Sequence, residues 1–474
     1  MCGLCPDGTQ TCAFDHHHGG GKNKDESASA PSSSGSQSGS GTGGGALVDG
    51  TAHFGTIGTV GAQDVYSVNL VAGQTYAFAM HAVGATSIGD SYLTLRGPNN
   101  AVVAENDDMN NVTTNAMITF QATTTGTYAL EAKGFGNNTG DYMVSMANGN
   151  RIYAPTFTVD QIADYLQHTH WQAEGGRGVN WAPQSIITYS VSGLTAGRQA
   201  LAADSAFEAW SQISGLTFRK VSGSAQITFD DNSGGAFASW SSNGRYITSA
   251  TINVARNWDG GSTALDSYAY QTILHEIGHA LGLGHSGSYD GNARHGIDNT
   301  YANDYWGTTV MSYFDQRDAG LGSYRDVATP MIGDVRAIQN MYGIHNVCTD
   351  HTTYGFNSTV AQVAGQVDAG DVYNFANYAR APSLTIVDSG GVDTLDASGY
   401  AQDQKIDLTP GARSDIGGLT GNIVIYDRST IENAIGGSGD DTLIGNAAAN
   451  RLVGNGGRDT LNGGGGNDRL EGGT

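Results

Sequence analysis

The chain has 474 residues, with 45 acidic and 22 basic side chains that give a formal charge of −23 at neutral pH. This charge argues against nucleic acid and anionic membranes as partners, and it suits a protein that binds cations. The length allows about three domains, because a domain usually contains roughly 100 to 200 residues.

The N-terminal segment, residues 1–46, predicts a tail and linker without regular structure. Its serine- and glycine-rich part has too few apolar residues to offset the entropy of ordering. The start, MCGLCPDGTQTCAFD, has neither the basic nor the apolar region of a Sec signal peptide. Cys2, Cys5 and Cys12, with the histidine run 16–18, leave two interpretations open: a zinc-related site or an unstructured tail.

Residues 47–150 predict a small antiparallel β-sandwich. Short runs such as DVYSVNL and TYALEA alternate apolar and polar residues, and turn residues such as GPNN separate them. The segments DVYSVNLVAGQTYAFAM and YLTLRGPNNAVVAENDD resemble the bacterial pre-peptidase C-terminal domain. The resemblance implies a β-sandwich of the kind attached to secreted peptidases.

Residues 151–345 mix helical and strand patterns, which predicts an α+β domain. Apolar residues at helical spacing predict a helix over 195–213, with Thr195 as its cap. Strand-like runs follow, and then two further helices. The predicted strands lie in LTFRKV, AQITFDD, AFASW and ATINVA, and the helices over 263–281 and near 330–342.

The string HEIGHALGLGH, residues 275–285, predicts a catalytic zinc site. On a helix, His275 and His279 project from one face about one turn apart, as two ligands of one ion require. Gly282 can end the helix with a positive φ and bring His285 back as the third ligand. Glu276 can then reach a water at the metal and act as general base. The alternative is a buried helix with hydrogen-bonded histidines.

The segment TTVMSYFD follows with Met311 and Tyr313. A methionine turn after this zinc string is similar to the metzincins, and Met-Ser-Tyr resembles the serralysin family of secreted bacterial peptidases. The resemblance implies that Met311 supports the histidines from below. It also implies that Tyr313 is a further zinc ligand that can swing away and stabilise the oxyanion. One departure is Ser286, where serralysins usually have proline and matrixins have serine.

Residues 436–471 divide into four nonapeptides whose leucines fall nine residues apart. The first, third and fourth of them approach a glycine- and aspartate-rich calcium repeat. If two nonapeptides make one turn of a parallel β-roll, units two apart stack, which pairs Asp441 with Asp459 and Asn450 with Asp468. Together with LTIVDSGGVDTLDASGY, this region resembles the C-terminal part of the serralysins. The predicted calcium ligands are Asp441, Asp459, Asp468, Gly437, Gly439 and Gly457.

The sequence therefore predicts three domains after the tail: a β-sandwich (47–150), a metzincin protease domain (151–345) and a calcium β-roll (346–474) that stops within a repeat, as a truncated roll would. One zinc ion and several calcium ions are expected. An extended peptide substrate would pair with an edge strand at Ala236, Phe237 and Ala238.

We expect a secreted, extracellular zinc endopeptidase that acts on proteins or peptides as a monomer, without nucleic acid or membrane insertion. The serralysin resemblance implies export by type I secretion machinery. Two alternatives remain: a calcium-dependent adhesin or surface-layer protein with a vestigial protease domain, and a zinc hydrolase acting on a non-peptide amide.

Overall fold

The computed structural model describes residues 44–83, 86–108, 114–149, 154–174, 176–183, 186–194, 197–289, 293–360 and 372–473, and it also gives the backbone of residues 2–4 and 9–12. For residues 197–204 only the backbone is described. The described residues form two compact units. Unit 1 takes its residues from 1–2, 14–178 and 284–304, and unit 2 from 3–13, 179–283 and 305–474.

The strands are β1 (Cys2–Leu4), β2 (Thr9–Cys12), β3 (Gly44–Ala46), β4 (Thr51–Ile57), β5 (Gln63–Leu70), β6 (Thr75–Ala82), β7 (Ser91–Arg96), β8 (Val102–Asn106), β9 (Ala116–Gln121), β10 (Gly126–Gly134), β11 (Gly140–Asn148), β12 (Ile186–Gly193), β13 (Thr217–Lys220), β14 (Ile227–Asp230), β15 (Ala236–Ser242), β16 (Ile247–Val254), β17 (Thr353–Gly355), β18 (Leu384–Ile386), β19 (Thr394–Asp396), β20 (Lys405–Asp407), β21 (Arg413–Ser414), β22 (Ile423–Ile425), β23 (Asn433–Ile435), β24 (Thr442–Ile444), β25 (Arg451–Val453), β26 (Thr460–Asn462) and β27 (Arg469–Glu471). The helices are α1 (Val159–Asp164), α2 (His170–Ala173), α3 (Gly197–Ser214), α4 (Tyr268–Ala280) and α5 (Ile332–Tyr342).

Unit 1 contains the predicted β-sandwich. One sheet has the order β3-β5-β10-β7-β8 and the other has the order β4-β11-β6-β9. Alternate residues of β5 are buried, as expected for a strand with one face on a core. The side chains that form this shared core include Val68, Phe78, Leu93, Leu130 and Val144, all at 0% exposure. The sequence prediction of a β domain in this region is confirmed.

Unit 1 also contains a helix that the sequence analysis did not predict. Helix α1 begins at a capping box, in which the Thr158 hydroxyl accepts the Gln161 N–H and the Gln161 side chain accepts the Thr158 N–H. A π-helical turn, Tyr165–Thr169, joins α1 to α2 without a break. We call the whole element, 159–173, the π-bulged helix.

Unit 2 contains a seven-stranded sheet with the order β1-β2-β15-β16-β14-β12-β13. Strands β12, β13, β14 and β16 are parallel, and β15 runs antiparallel to β16. Strand β2 pairs antiparallel with β15, with Thr11 opposite Ser239.

The tail predicted over 1–46 therefore differs from the structure at three short strands, β1, β2 and β3. Main-chain amides pair whatever the side chains are, so a polar segment such as TQTC can extend a sheet without contributing to a core. The histidine run 16–18 lies outside the described residues.

The helices of unit 2 lie where the sequence predicts them, with shifted starts. The helix predicted over 263–281 begins at Tyr268, because Ser267 caps it by accepting the Tyr270 N–H at 3.2 Å. The first predicted helix is α3, and its suggested cap, Thr195, lies outside the described residues. The last predicted helix is α5.

The C-terminal strands of unit 2 stack as short parallel ladders. One sheet has the order β17-β19-β23-β25-β27 and another the order β20-β24-β26. Leu443 lies opposite Leu461, and Leu452 lies opposite Leu470. Nonapeptides two apart in sequence are therefore neighbours in the stack, as predicted. No helix among the described residues is long and apolar enough to cross a membrane.

Candidate metal centre

The end of α4 sets the path of the chain to the third predicted ligand. Gly282 has φ +102°, which favours glycine. Its N–H donates to the His279 carbonyl at 2.9 Å, and the next N–H, that of Leu283, donates to the Gly278 carbonyl at 3.0 Å. This pair of bonds is the Schellman motif. The predicted role of Gly282 in ending the helix is confirmed, and the chain turns there toward His285.

The three predicted zinc ligands lie together. Each of His275, His279 and His285 offers a ring nitrogen, and these nitrogens all lie within 4.8 Å of one another, with all three residues buried. The Nδ1 atom of His275 lies 2.8 Å from the Val310 carbonyl, and that of His279 lies 2.8 Å from the Leu283 carbonyl. An imidazole that donates from Nδ1 presents its lone pair at Nε2, the orientation a metal ligand needs.

Glu276 is the second feature that fits a metal. Its side chain is fully buried, and neither carboxylate oxygen has a hydrogen-bond partner among the described residues. Burial raises the pKa of the Glu276 carboxyl well above its ordinary value. Three clustered imidazoles are the donor set of a catalytic zinc site, and an adjacent carboxylate that is not a ligand is its usual general base, so the residues present fit a zinc ion.

Met311 and Tyr313 both lie close to the helix that carries His275 and His279. A Cβ added at Gly278 would lie 2.6 Å from the Met311 Sδ, so the methionine packs directly against the backbone of α4. The Tyr313 ring centroid lies 6.1 Å from that of His275. Ser286, the departure from the serralysin pattern, forms a buried hydrogen bond with the Tyr301 hydroxyl.

A buried carboxylate that the sequence analysis missed supports this segment. Asp334, in the first turn of α5, accepts the Val310 N–H at 2.8 Å, the Thr309 hydroxyl at 2.5 Å and the Met331 N–H at 2.8 Å. Burial raises the Asp334 pKa to about 7, against the effect of these bonds. Asp334 thereby holds the residue whose carbonyl contacts His275.

The predicted substrate strand is β15. Ala236 and Ala238 are buried, and Phe237 is half-buried. On one side all three pair with β16. On the other side, the described pairing with β2 covers only residues 239–241.

The predicted calcium ligands lie in the stacked repeats. Asp459 accepts the Asp441 N–H at 2.9 Å, and Asp468 accepts the Asn450 N–H at 3.0 Å, the pairs that the repeat period predicts. The Asp459 Oδ2 is buried without a partner among the described residues. Backbone of adjacent turns comes close at the three glycines: an added Cβ would meet it at 2.1 Å for Gly437, 2.6 Å for Gly439 and 2.2 Å for Gly457.

A further acidic pair, Asp388 and Asp393, was also missed. Both side chains are buried, and the Asp393 Oδ2 has no hydrogen-bond partner in the part of the chain that is described. Burial raises the Asp388 pKa to about 7, and the neighbouring Asp393 charge adds to the shift. A Cβ at Gly391 would lie 2.4 Å from the Asp350 carbonyl, so backbone oxygen also approaches here. The string DSGGVD, with two carboxylates around a glycine pair, was the available signal.

Comparison with known families divides the chain into three matched segments. Residues 62–134 match the bacterial pre-peptidase C-terminal domain, residues 180–292 match the matrixin family of M10 peptidases, and residues 344–470 match the C-terminal domain of M10 serralysins. A solved structure of the pre-peptidase C-terminal domain of a Bacillus anthracis collagenase overlaps 22% of this chain and 93% of its own, at 18% identity and a TM-score of 0.18.

Several secreted-peptidase relatives match more than half of the chain. Metallopeptidase AprA of Pseudomonas marginalis is 35% identical over 329 residues, which cover 61% of this chain and 65% of the relative. Serralysin C of Dickeya chrysanthemi is 35% identical over 331 residues, which cover 61% and 64%. The chain thus spans just under two thirds of the length of these relatives. In its zinc string, its methionine turn and its stacked repeats, the chain is similar to the serralysin-type M10 peptidases, and a segment similar to the pre-peptidase C-terminal domain lies ahead of the matrixin-like segment.

Proposed function

We propose that the chain is a secreted, zinc-dependent endopeptidase that hydrolyses peptide bonds of extracellular proteins. The observation that carries the proposal is the buried Glu276 carboxylate without a hydrogen-bond partner, directly after His275, the first of three clustered histidines. Burying an ionisable group without a partner costs several kcal/mol, roughly, unless a ligand or a reaction uses it. An adhesin that retained only the shell of a protease would have no use for this carboxylate.

The residues divide the reaction between them. A zinc ion held by His275, His279 and His285 would act as a Lewis acid and lower the pKa of its bound water to about 7. The Glu276 carboxylate takes a proton from the attacking water and passes it to the nitrogen of the leaving amine. The Tyr313 hydroxyl donates a hydrogen bond to the carbonyl oxygen as negative charge develops on it.

An extended substrate is expected to lie along β15. The backbone of residues 236–238 offers N–H and C=O groups on the side away from β16. Main-chain hydrogen bonds at this edge fix the position of the scissile carbonyl relative to the zinc site, and they require no particular side chains of the substrate. This mode of binding suits proteins as substrates better than small amides.

Calcium is proposed to stabilise the C-terminal stack, and a second location is proposed at Asp388 and Asp393. Two buried carboxylates with an oxygen lacking a partner need a cation or protons, and hard oxygen donors suit calcium. Export through type I secretion machinery and action as a monomer remain proposals that rest on the family.

Cleavage of an unstructured protein by the purified chain tests the activity. Glu276→Gln keeps the shape of the side chain and removes the base, so we expect kcat to fall about 10²- to 10⁴-fold while one zinc ion per chain remains bound. Glu208→Gln removes another buried glutamate, on α3, and is the matched control. Equal cleavage by wild type and Glu276→Gln would reject the proposal. Cleavage of small amides alone would favour the non-peptide hydrolase.

A further inference from the structure

The π-bulged helix contacts the segment that carries the third histidine. A π-helical turn leaves a backbone carbonyl without its usual partner in the helix, and such turns often occur at functional sites. Here the Leu166 carbonyl, inside the turn, accepts the N–H of Gly284 at 2.7 Å. Gly284 directly precedes His285, so the helix fixes the backbone at the start of that segment.

His170 packs against the same two residues. Its side chain is 2% exposed, and its ring lies edge-on to that of His285, with centroids 5.3 Å apart and planes at 84°. A Cβ added at Gly284 would lie 2.3 Å from the His170 ring. The glycine therefore lets the imidazole of His170 reach the backbone beside His285.

The contacts continue to the end of the segment 284–288. The His170 Nδ1 lies 3.4 Å from the Gly287 carbonyl, and the Tyr165 hydroxyl lies 3.1 Å from the Ser288 hydroxyl. The helix thus touches this segment at its first residue, at its histidine and at its last residues. The Tyr289 ring also stacks with that of His285, with ring centroids 6.1 Å apart.

Each histidine of the cluster has contacts that orient its ring. His275 and His279 each have a carbonyl 2.8 Å from Nδ1. The His285 ring contacts the rings of His170 and Tyr289. Edge-on ring contacts prefer a particular angle, so they restrict rotation of the imidazole.

We propose that His170 is a positioning residue for the zinc site: with the Leu166 carbonyl, it fixes the plane of the His285 ring so that its nitrogen meets the ion. This inference rests on the proposed zinc-dependent function. It assigns a role in metal retention to a histidine outside the zinc string. The role depends on the packing of the two rings and on the π-helical turn, which places the His170 ring beside His285.

The test compares zinc release from wild type, His170→Ala and His170→Phe in excess chelator. We expect zinc to dissociate about 2- to 12-fold faster from His170→Ala, the range that an edge-on ring contact supports. His170→Phe keeps a ring and should restore a rate near that of wild type. His168→Ala, an exposed histidine in the same helix, is the matched control and should release zinc at the wild-type rate.

Replacement of zinc by cobalt gives a second measurement, because the cobalt absorption bands depend on the geometry of the ligands and not on the stability of the fold. His170→Ala should shift the cobalt absorption bands, whereas His168→Ala and His170→Phe should leave them unchanged. If His170→Ala fails to fold, His170→Leu replaces it, since leucine fills the volume without a ring. Wild-type zinc release and cobalt bands in a folded Ala or Leu variant would overturn the inference alone. A wild-type chain that binds no zinc would instead overturn the proposed function.

Discussion

Replacing Gly282 by alanine should open the turn that connects α4 to His285. Gly282 has φ +102°, and an added Cβ would lie 2.2 Å from the Val179 carbonyl oxygen and 3.0 Å from the Met341 methyl. The backbone strain costs about 1–3 kcal/mol and the overlap a further 1–3 kcal/mol, roughly. The sum, about 2–6 kcal/mol, is a large part of the stability of a typical domain.

The turn relieves the strain by opening, and the Leu283 carbonyl then leaves His279. Even the lower figure, about 2 kcal/mol, weakens zinc binding roughly 30-fold if binding must restore the turn. Competition with a chelator of known affinity measures the zinc dissociation constant, and thermal unfolding of the metal-free chain measures stability.

Gly244→Ala is the matched control, because Gly244 has φ +83° and nothing within 4 Å of an added Cβ. It should lose only the strain energy, about 1–3 kcal/mol, and keep its zinc affinity. If Gly282→Ala and Gly244→Ala bind zinc equally well, the connection drawn between this turn and the ligands is wrong.

Four further outcomes are expected. Asp334→Ala leaves buried donors without their acceptor and should lower the free energy of unfolding by about 2–4 kcal/mol, measured with denaturant. Tyr313→Phe should lower kcat about 10²-fold with KM little changed; a rise in KM alone would contradict the role assigned to the hydroxyl. The folded-state pKa of Asp388 is raised to about 7 from 3.8, so the melting temperature of the calcium-free chain should fall as pH rises from about 4 to 7. Calcium should reduce this fall, and the part that remains is the contribution of Asp334, whose pKa is also raised to about 7. Removing residues 1–43 should lower KM for extended peptides, because β2 no longer pairs with β15; an unchanged KM would mean that this pairing does not affect the cleft.

The zinc string and the repeats could be predicted because each depends on a local period. Helix geometry alone places His275 and His279 on one face, and a glycine at the helix end is enough to indicate the turn. In the repeats, one period of nine residues gives both the leucine strand and the stacking partner. The pairing of Asp441 with Asp459 follows from that period without knowledge of any other contact.

The missed features depend on contacts that no local period records. The π-helical turn at 165–169 changes the helical period within the π-bulged helix, so its apolar residues do not repeat at the spacing that predicts a helix. Asp393 forms hydrogen bonds with Thr352 and Glu432, which lie about 40 residues before and after it in the sequence. Asp334 accepts the Val310 N–H from a position 24 residues further along the chain, and the sequence does not reveal the path of the loop between them.

Pairing of β2 with β15 places a segment of the chain in competition with any substrate that would extend along that edge. Because competitor and site belong to one molecule, the competition is set by an effective concentration and not by the protein concentration, so dilution does not relieve it. A single cut within residues 13–43 would turn the tethered strand into an ordinary peptide, which leaves when the protein is diluted. The length and integrity of that connection, as well as the chemistry at Glu276, would then decide how much substrate the chain can bind.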